Sequence, residues 1–362
     1  MKIALVIGNR PHFIKAAPFL KAMTAYPEMK PFIIHSGQHY DHSMSGAFLE
    51  GFNFPPVAEN LEVGSGSIGE QTGKILTRLD PVYRRLKPDC VVSMGDTNTT
   101  LAASLAAYQL HLPNAHIEAG MRENIWRPEE INKKMADHCA DFLFAPIPRA
   151  VENLKFEGIE ENRIFHTGDI TLDTFTANQS AAQSNFKSVC NRFPEIPVEY
   201  DLLTLHRAET VDDKDIFMDI LQALLGWPRP LVFPVHPRTS KRIDEFGFRR
   251  EVESSNNIIC LPPLGYLDFV SLVVNARQVA TDSSGVLKEA FYASKKCIVL
   301  DESTEYREIF SLEAAFMAGR TSSSIQQTLN HTESFAFPAI TDNPFGTGHA
   351  AEEMVKIIRA GL

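Results

Sequence analysis

The sequence holds no uninterrupted apolar run of about 18 residues, the length a membrane-spanning helix requires, so no membrane insertion is expected. The apolar stretch near its start, Ile3–Ile7, is too short for a secretory leader and has no small-residue cleavage site behind it. It reads instead as a first β-strand. Cysteine is scarce: the five residues Cys90, Cys139, Cys190, Cys260 and Cys297 are odd in number, far apart and without a CxxC pair. That pattern argues against a disulfide framework or a cysteine zinc site and suits a reduced, cytoplasmic setting. No HExxH or other tight histidine spacing occurs, so no metal is implied. Positive charge is concentrated nowhere. The 35 Lys and Arg face 45 Asp and Glu, a net charge of −10, so a nucleic-acid partner is not expected. An anionic ligand stays compatible with that total, because a local site can oppose the net charge.

What is present is enough apolar material for two cores: 44% of 362 residues. Short apolar runs alternate with amphipathic stretches. Strands are expected at Lys2–Ile7, Pro31–His35, Cys90–Met94, Ala115–Ile117, Phe142–Ala145 and Arg163–His166. A second series runs through Leu202–Leu205, Leu231–Val235, Ile258–Leu261, Gln278–Thr281 and Cys297–Leu300. Continuous apolar strands separated by helical segments predict α/β architecture with two doubly wound parallel sheets. The boundary is expected near Gly168–Thr171, with residues 179–199 as a loop-rich link and a final helix from Ala350. Two such halves suggest a ligand cleft between them.

Polar residues collect at the carboxyl ends of these strands. The first half offers Gly8-Asn9-Arg10-Pro11, Ser36-Gly37-Gln38-His39, Gly95-Asp96-Thr97 and Glu118-Ala119-Gly120-Met121-Arg122. The second offers His206-Arg207, His236-Pro237-Arg238 and Asp282-Ser283-Ser284-Gly285. Asp96 reads either as a helix N-cap or as a site carboxylate. Glu118 sits deep at a strand end, where a carboxylate needs a partner or a raised pKa, and either suits proton transfer. Glu129 follows Pro128 in a helix's first turn, where helix physics favours acids, and could simply pair Lys133 at i,i+4 while Glu130 pairs Lys134. His12 and His138 read as ordinary helix residues. His206 beside Arg207 suits phosphate contact or proton transfer. The turn at Ser283 offers backbone N–H groups to an anion, or a plain cap. The match of Gly64–Gly69 to GxGxxG does not follow the first strand, which disfavours a dinucleotide site.

Taken in order, these pieces resemble the non-hydrolysing UDP-N-acetylglucosamine 2-epimerase family, a GT-B-fold group. They are joined by Gly37-Gln38-His39-Tyr40, Pro128-Glu129-Glu130-Ile131-Asn132, Asp137-His138, Thr204-Leu205-His206-Arg207-Ala208-Glu209, Pro263-Leu264-Gly265-Tyr266 and Asn343-Pro344-Phe345-Gly346. The chain is similar to a shorter subgroup, marked by His39-Tyr40-Asp41, Met44-Ser45 and Lys288-Glu289-Ala290, that includes UDP-2,3-diacetamido-glucuronate 2-epimerases. The resemblance implies a GT-B-like pair of Rossmann-like domains: residues 1–168 with the helix at 348–362 packed back on them, and 169–347 binding UDP. It implies inversion at C2 of a UDP-N-acetylhexosamine by elimination and re-addition of UDP, without cofactor or metal, in a homodimer. Asp96, Glu118 and Glu129 become the acid–base groups and His206 assists the leaving diphosphate. Arg10, Lys15, His39, Arg207, His236, Ser283, Ser284, Gly285 and Glu289 bind the substrate. A hydrolysing 2-epimerase, a GT-B glycosyltransferase and an inactive nucleotide-sugar sensor are the alternatives. The chain departs from the family pattern at Asn9, Thr210, Ser284 and Leu287, three of them on the UDP-binding half.

Overall fold

The computed structural model describes residues 1–37, 54–123 and 125–362. The chain divides into two compact units, Met1–Thr176 with Asn343–Leu362, and Ala177–Asp342.

The first unit is built on a seven-stranded parallel sheet. Its strands are β1 (Lys2–Ile7), β2 (Lys30–His35), β3 (Val57–Asn60), β4 (Cys90–Met94), β5 (Asn114–Ile117), β6 (Phe142–Ala145) and β7 (Ile164–His166), in the order β3-β2-β1-β4-β5-β6-β7. β1 is buried from Ile3 to Ile7 and β4 along its whole length, as strands covered on both faces must be. The helix Ile68–Leu86 buries Ile75, Leu79, Val82 and Tyr83, a spacing that forms one stripe. Opposite it the helix Asn98–Gln109 presents Ala102, Ala103, Ala106 and Ala107, whose small side chains let it lie close in the same core.

The second unit repeats the plan with six strands: β8 (Asp201–Thr204), β9 (Leu231–Pro234), β10 (Ile258–Leu261), β11 (Gln278–Thr281), β12 (Lys296–Val299) and β13 (Ala315–Met317), ordered β10-β9-β8-β11-β12-β13. Its core gathers Leu203, Phe217, Leu221, Leu224, Trp227 and Phe233. The Trp227 indole stays satisfied there by donating to Asp201 Oδ2 at 2.7 Å. Both units are thus doubly wound, Rossmann-like α/β sheets, as the alternation of apolar runs implies.

Three elements differ from the sequence reading. Residues 179–199 are not a loop-rich link, because most of them continue one long helix, Ile170–Arg192. Its polar composition hides a helical stripe: Phe175, Ala182 and Val189 are buried, and Phe186 stacks on Tyr200. β3 and β13 were not expected. Both are short edge strands: β3 is largely polar and joins β2 with a register shift at Ile33/Ile34, and β13 is apolar but only three residues long.

The final helix, Ala350–Gly361, belongs to the first unit and packs on the helix Arg10–Met23. Its first turn is held by the Asp173 carboxylate, which accepts from Ala350 N at 3.2 Å and Ala351 N at 2.8 Å. Among the described residues no helix is long and apolar enough to cross a membrane.

Strand order decides where a ligand can sit. In each sheet it reverses once, between β1 and β4 in the first unit and between β8 and β11 in the second. Loops diverge beyond the carboxyl ends of the strands at such a switch point and leave a crevice.

Beyond β5, Gly120 has φ +78°, and a Cβ there would lie 2.3 Å from the Ala150 carbonyl oxygen. Gly158 has φ +82° with open space around it. Gly120→Ala is expected to destabilise the protein by about 2–4 kcal/mol and Gly158→Ala by only about 1 kcal/mol in urea unfolding. Equal losses would show that backbone conformation alone, not the close approach to Ala150, requires Gly120.

Candidate functional site

At the switch point of the first unit, β1 runs through Gly8 and Asn9 into the helix Arg10–Met23. Asn9 caps the helix, its Oδ1 accepting from His12 N at 3.3 Å, and Pro11 lies in the first turn. Arg10 is half-buried at this end. Gly8 N donates to His12 Nδ1 at 3.1 Å, so the proton of the neutral ring lies on Nε2, which faces Thr97 Oγ1 at 3.5 Å. Burial, aided by the Lys15 cation, pulls His12 down from 6.5 to about 3.

One turn further on, the Lys15 ammonium forms a salt bridge with Glu118, and both side chains are only 10% exposed. Such a pair is seldom favoured for stability alone, because desolvation offsets most of its Coulomb attraction. Glu118 stands just beyond β5 at φ +68°, a left-handed conformation that costs a non-glycine residue about 1–2 kcal/mol. Across from the pair lies Gly95, at φ +73°. A Cβ on it would stand 3.0 Å from Lys15 Nζ and 3.8 Å from Glu118 Oε2, so glycine is what lets the β4 loop approach.

Asp96 follows Gly95 and is half-buried. It is not the helix cap: Thr97 is, accepting from Thr100 N at 3.4 Å. The Asp96 main chain is fixed by Asn132 Nδ2, which donates to its carbonyl oxygen at 3.0 Å. Glu129 is exposed in the first turn of the helix Pro128–Cys139. The pairing of Glu129 with Lys133 gives way to Lys133–Glu130 at i,i+3 and 2.5 Å. Helix geometry sets Glu129 on the same face as Asn132, three residues on.

Behind these loops lies a buried ionic chain. His116 Nδ1 meets Asp137 Oδ1 at 2.6 Å, and its Nε2 meets the Gly95 carbonyl at 2.8 Å. Asp137 Oδ2 accepts from Gly120 N at 3.1 Å and from Arg122 at 2.7 Å. Burial works to raise the Asp137 carboxyl, yet His116 and Arg122 hold it below the usual range.

At the switch point of the second unit, the buried Asp282 carboxylate accepts from His206 N at 2.9 Å and Arg207 N at 2.8 Å, tying the β8 loop to the β11 loop. His206 and His236 face each other with ring centroids 5.3 Å apart. His236 Nδ1 also accepts from Arg238 N at 3.2 Å, capping its own helix. The Arg207 guanidinium donates to Asp301 at 2.7 Å. Burial would push Asp301 up, but Arg207 and Arg320 hold it below the usual range. Ser283 caps the helix Ser284–Tyr292 through Val286 N at 3.4 Å. Ser284 and Gly285 form that helix's first turn, where N–H groups face outward, and Glu289 follows Gly285 at i,i+4. Leu287 is buried with the core, and the Thr210 hydroxyl is buried without a hydrogen-bond partner.

The first unit therefore gathers Lys15, Asp96 and Glu118 at one switch point, with Arg10 on the helix that begins there; Glu129 is exposed on a helix joined to this point through Asn132. The second gathers His206, Arg207, His236, Ser283, Ser284 and Gly285 at the other. His39 lies outside the described residues. Sequence reasoning missed His12, Thr97, His116 and Asn132 as supporting groups. The signal available was position: His116 precedes Glu118 by two residues, and Asn132 follows Glu129 by three. Among the described residues no group of three or more His, Cys, Asp or Glu is placed to hold a metal ion, and the cysteines are free.

His12 carries a pH prediction. A group whose pKa is depressed on folding stabilises the fold fully above its unfolded value, and that stability is lost as the pH falls towards the folded value. For His12 the window runs from 6.5 down to about 3. Within it the unfolding free energy should fall by about 1.4 kcal/mol per pH unit on account of this ring. His12→Asn, which keeps an acceptor for Gly8 N–H, should remove that slope in urea titrations at stepped pH. An unchanged slope would show that His12 does not fold as a neutral ring.

The sequence model of the UDP-N-acetylglucosamine 2-epimerase family matches residues 21–359. A UDP-N-acetylglucosamine 2-epimerase of Methanocaldococcus jannaschii is 38% identical over 372 residues, covering 100% of each chain. A UDP-2,3-diacetamido-2,3-dideoxy-D-glucuronate 2-epimerase of Pseudomonas aeruginosa is 38% identical over 327 residues, covering 88% of each. The crystal structure of the Methanocaldococcus jannaschii UDP-GlcNAc 2-epimerase with UDP-GlcNAc and UDP superposes with a TM-score of 0.93 at 38% identity, over 100% of both chains. With its GT-B-like pair of Rossmann-like domains, the chain belongs to the UDP-N-acetylglucosamine 2-epimerase family and is an epimerase.

Proposed function

We propose that the protein inverts C2 of a UDP-N-acetylhexosamine, of the UDP-N-acetylglucosamine to UDP-N-acetylmannosamine type, without net hydrolysis. C2–H of such a sugar has no adjacent carbonyl, so simple deprotonation is very unfavourable. Elimination avoids that barrier. A base takes the C2 proton, its electron pair forms the C1–C2 double bond, and the C1–O bond breaks with its pair left on UDP. The UDP oxygen then re-adds to C1 of the 2-acetamidoglucal, and a proton reaches C2 from the opposite face. The chemistry requires a base, an acid and a hold on the diphosphate, with water kept out.

The observation that carries this reading is the buried Lys15–Glu118 pair beside the Gly95-Asp96 turn: a carboxylate withdrawn from water, held by an ammonium and approached by the loop that carries Asp96. In this reading Asp96, Glu118 and Glu129 share the proton transfers. His206 assists the departing diphosphate. Arg10, Lys15, Ser283 and Glu289 hold UDP, with Arg207, His236, Ser284, Gly285 and His39 completing the contacts. The first unit carries the acid–base groups, and the second, Ala177–Asp342 rather than residues 169–347, binds UDP. A cytoplasmic homodimer working without cofactor or metal completes the reading.

Proton NMR with UDP-N-acetylglucosamine in D2O tests it. A UDP-linked manno epimer carrying deuterium at C2 is expected. Free N-acetylmannosamine with UDP would make the enzyme a hydrolysing one. No product and no exchange would remove this sugar as the substrate and turn the assay to the UDP-linked diacetamido-uronate. Asp96→Asn, Glu118→Gln and Glu129→Gln should each lower kcat by about 10²–10⁴-fold. Glu130→Gln, whose carboxylate is engaged by Lys133, should lower stability with little change in kcat. The opposite result for Glu129 and Glu130 would exchange their roles.

A further inference from the structure

We propose that His116 is a positioning residue that donates from both ring nitrogens and locks the Asp96 loop to the Glu118 loop; its bearing on catalysis rests on the epimerase reading above. The ring is fully buried, as is Asp137. Its Nε2 lies 2.8 Å from the Gly95 carbonyl oxygen, which has only lone pairs to offer, so Nε2 must donate. Its Nδ1 lies 2.6 Å from Asp137 Oδ1. Asp137 is ionised, because the buried Arg122 guanidinium pairs with it and holds its carboxyl below the usual range, so Nδ1 donates to Oδ1 as well. A ring that donates from both nitrogens is an imidazolium. Asn and Gln present one donor and one acceptor and cannot take its place.

The consequence is geometric. The peptide joining Gly95 to Asp96 is held by its carbonyl on the His116 side, while Asn132 holds the Asp96 carbonyl on the other. Two residues beyond His116, Glu118 takes its left-handed turn, and Asp137 holds Gly120 N beyond that. One cation–anion chain therefore pins both loops that carry the carboxylates. The other charged and titratable groups around it are Arg122 and Glu157 behind Asp137, and Lys15, Glu118 and the neutral His12 on the side of Gly95.

Two measurements test this. Nitrogen-15 NMR of the wild-type protein labelled at histidine should give His116 two protonated ring nitrogens at about pH 7.5, where an ordinary histidine is mostly neutral. An unprotonated nitrogen in that ring would overturn the charge assignment. His116→Gln, checked for folding by its thermal transition, should lower kcat and C2 deuterium exchange together by about tenfold to a hundredfold, with KM for the UDP-sugar held within about threefold. A folded variant with unchanged kcat would overturn the positioning role, and if the variant does not fold the wild-type spectrum still decides the charge. Wild-type turnover with a neutral ring counts against His116 alone. An imidazolium signature in a protein that turns over neither UDP-sugar supports the charge assignment and counts against the epimerase reading alone.

Discussion

Buried aspartates tie together loops that would otherwise diverge at the switch points. In the first unit Asp137 reaches from a helix to His116, Arg122 and the main chain of Gly120. In the second, Asp282 reaches from the end of β11 to the main chain of His206 and Arg207. Doubly wound sheets always open a crevice where the strand order reverses, but the crevice alone does not set side-chain positions. A carboxylate with several donors does, because losing any of them leaves a charge in a low-dielectric interior. The strained Glu118 and the glycine approach at Gly95 persist against that scaffold.

The switch points of the two units differ in composition. The switch point of the first is rich in carboxylates, partnered by a lysine and backed by a buried ionic chain. That of the second offers imidazoles, a guanidinium and outward N–H groups at a helix start. Under the proposed reaction, the first composition would serve proton transfer at carbon and the second a leaving diphosphate. The departures from the family pattern sort in the same way. Leu287 joins the core of the second unit, and the Thr210 hydroxyl sits in its interior without a partner, while Asp96, Glu118 and Glu129 are all present.

Much of the fold was legible because buried parallel strands must be continuous apolar runs, and β1, β4, β6 and β11 have the bounds that rule suggests. It failed where burial is partial. The helix Ile170–Arg192 spends most of its length on polar residues, and β3 and β13 are edges. In the site, Glu118 was legible as a deep strand-end acid, but its left-handed backbone was not. Lys15 would pass for a solvated helix lysine without the family resemblance, since its partner lies 103 residues away. His116 escaped notice for the same reason: the groups that define it are each 21 residues off along the chain.

The route of the chain has a consequence for its synthesis. Residues 343–362 complete the first unit although they follow all of the second. A nascent chain emerging from the ribosome therefore has every residue of the second unit before the first can close. Until then the helix Arg10–Met23 lacks its packing partner and Asp173 has no helix start to hold. The portion made first is finished last, and a chain whose residues 343–362 have not yet emerged holds an open first unit. Such an intermediate exposes apolar surface of the kind that chaperones bind and proteases cut.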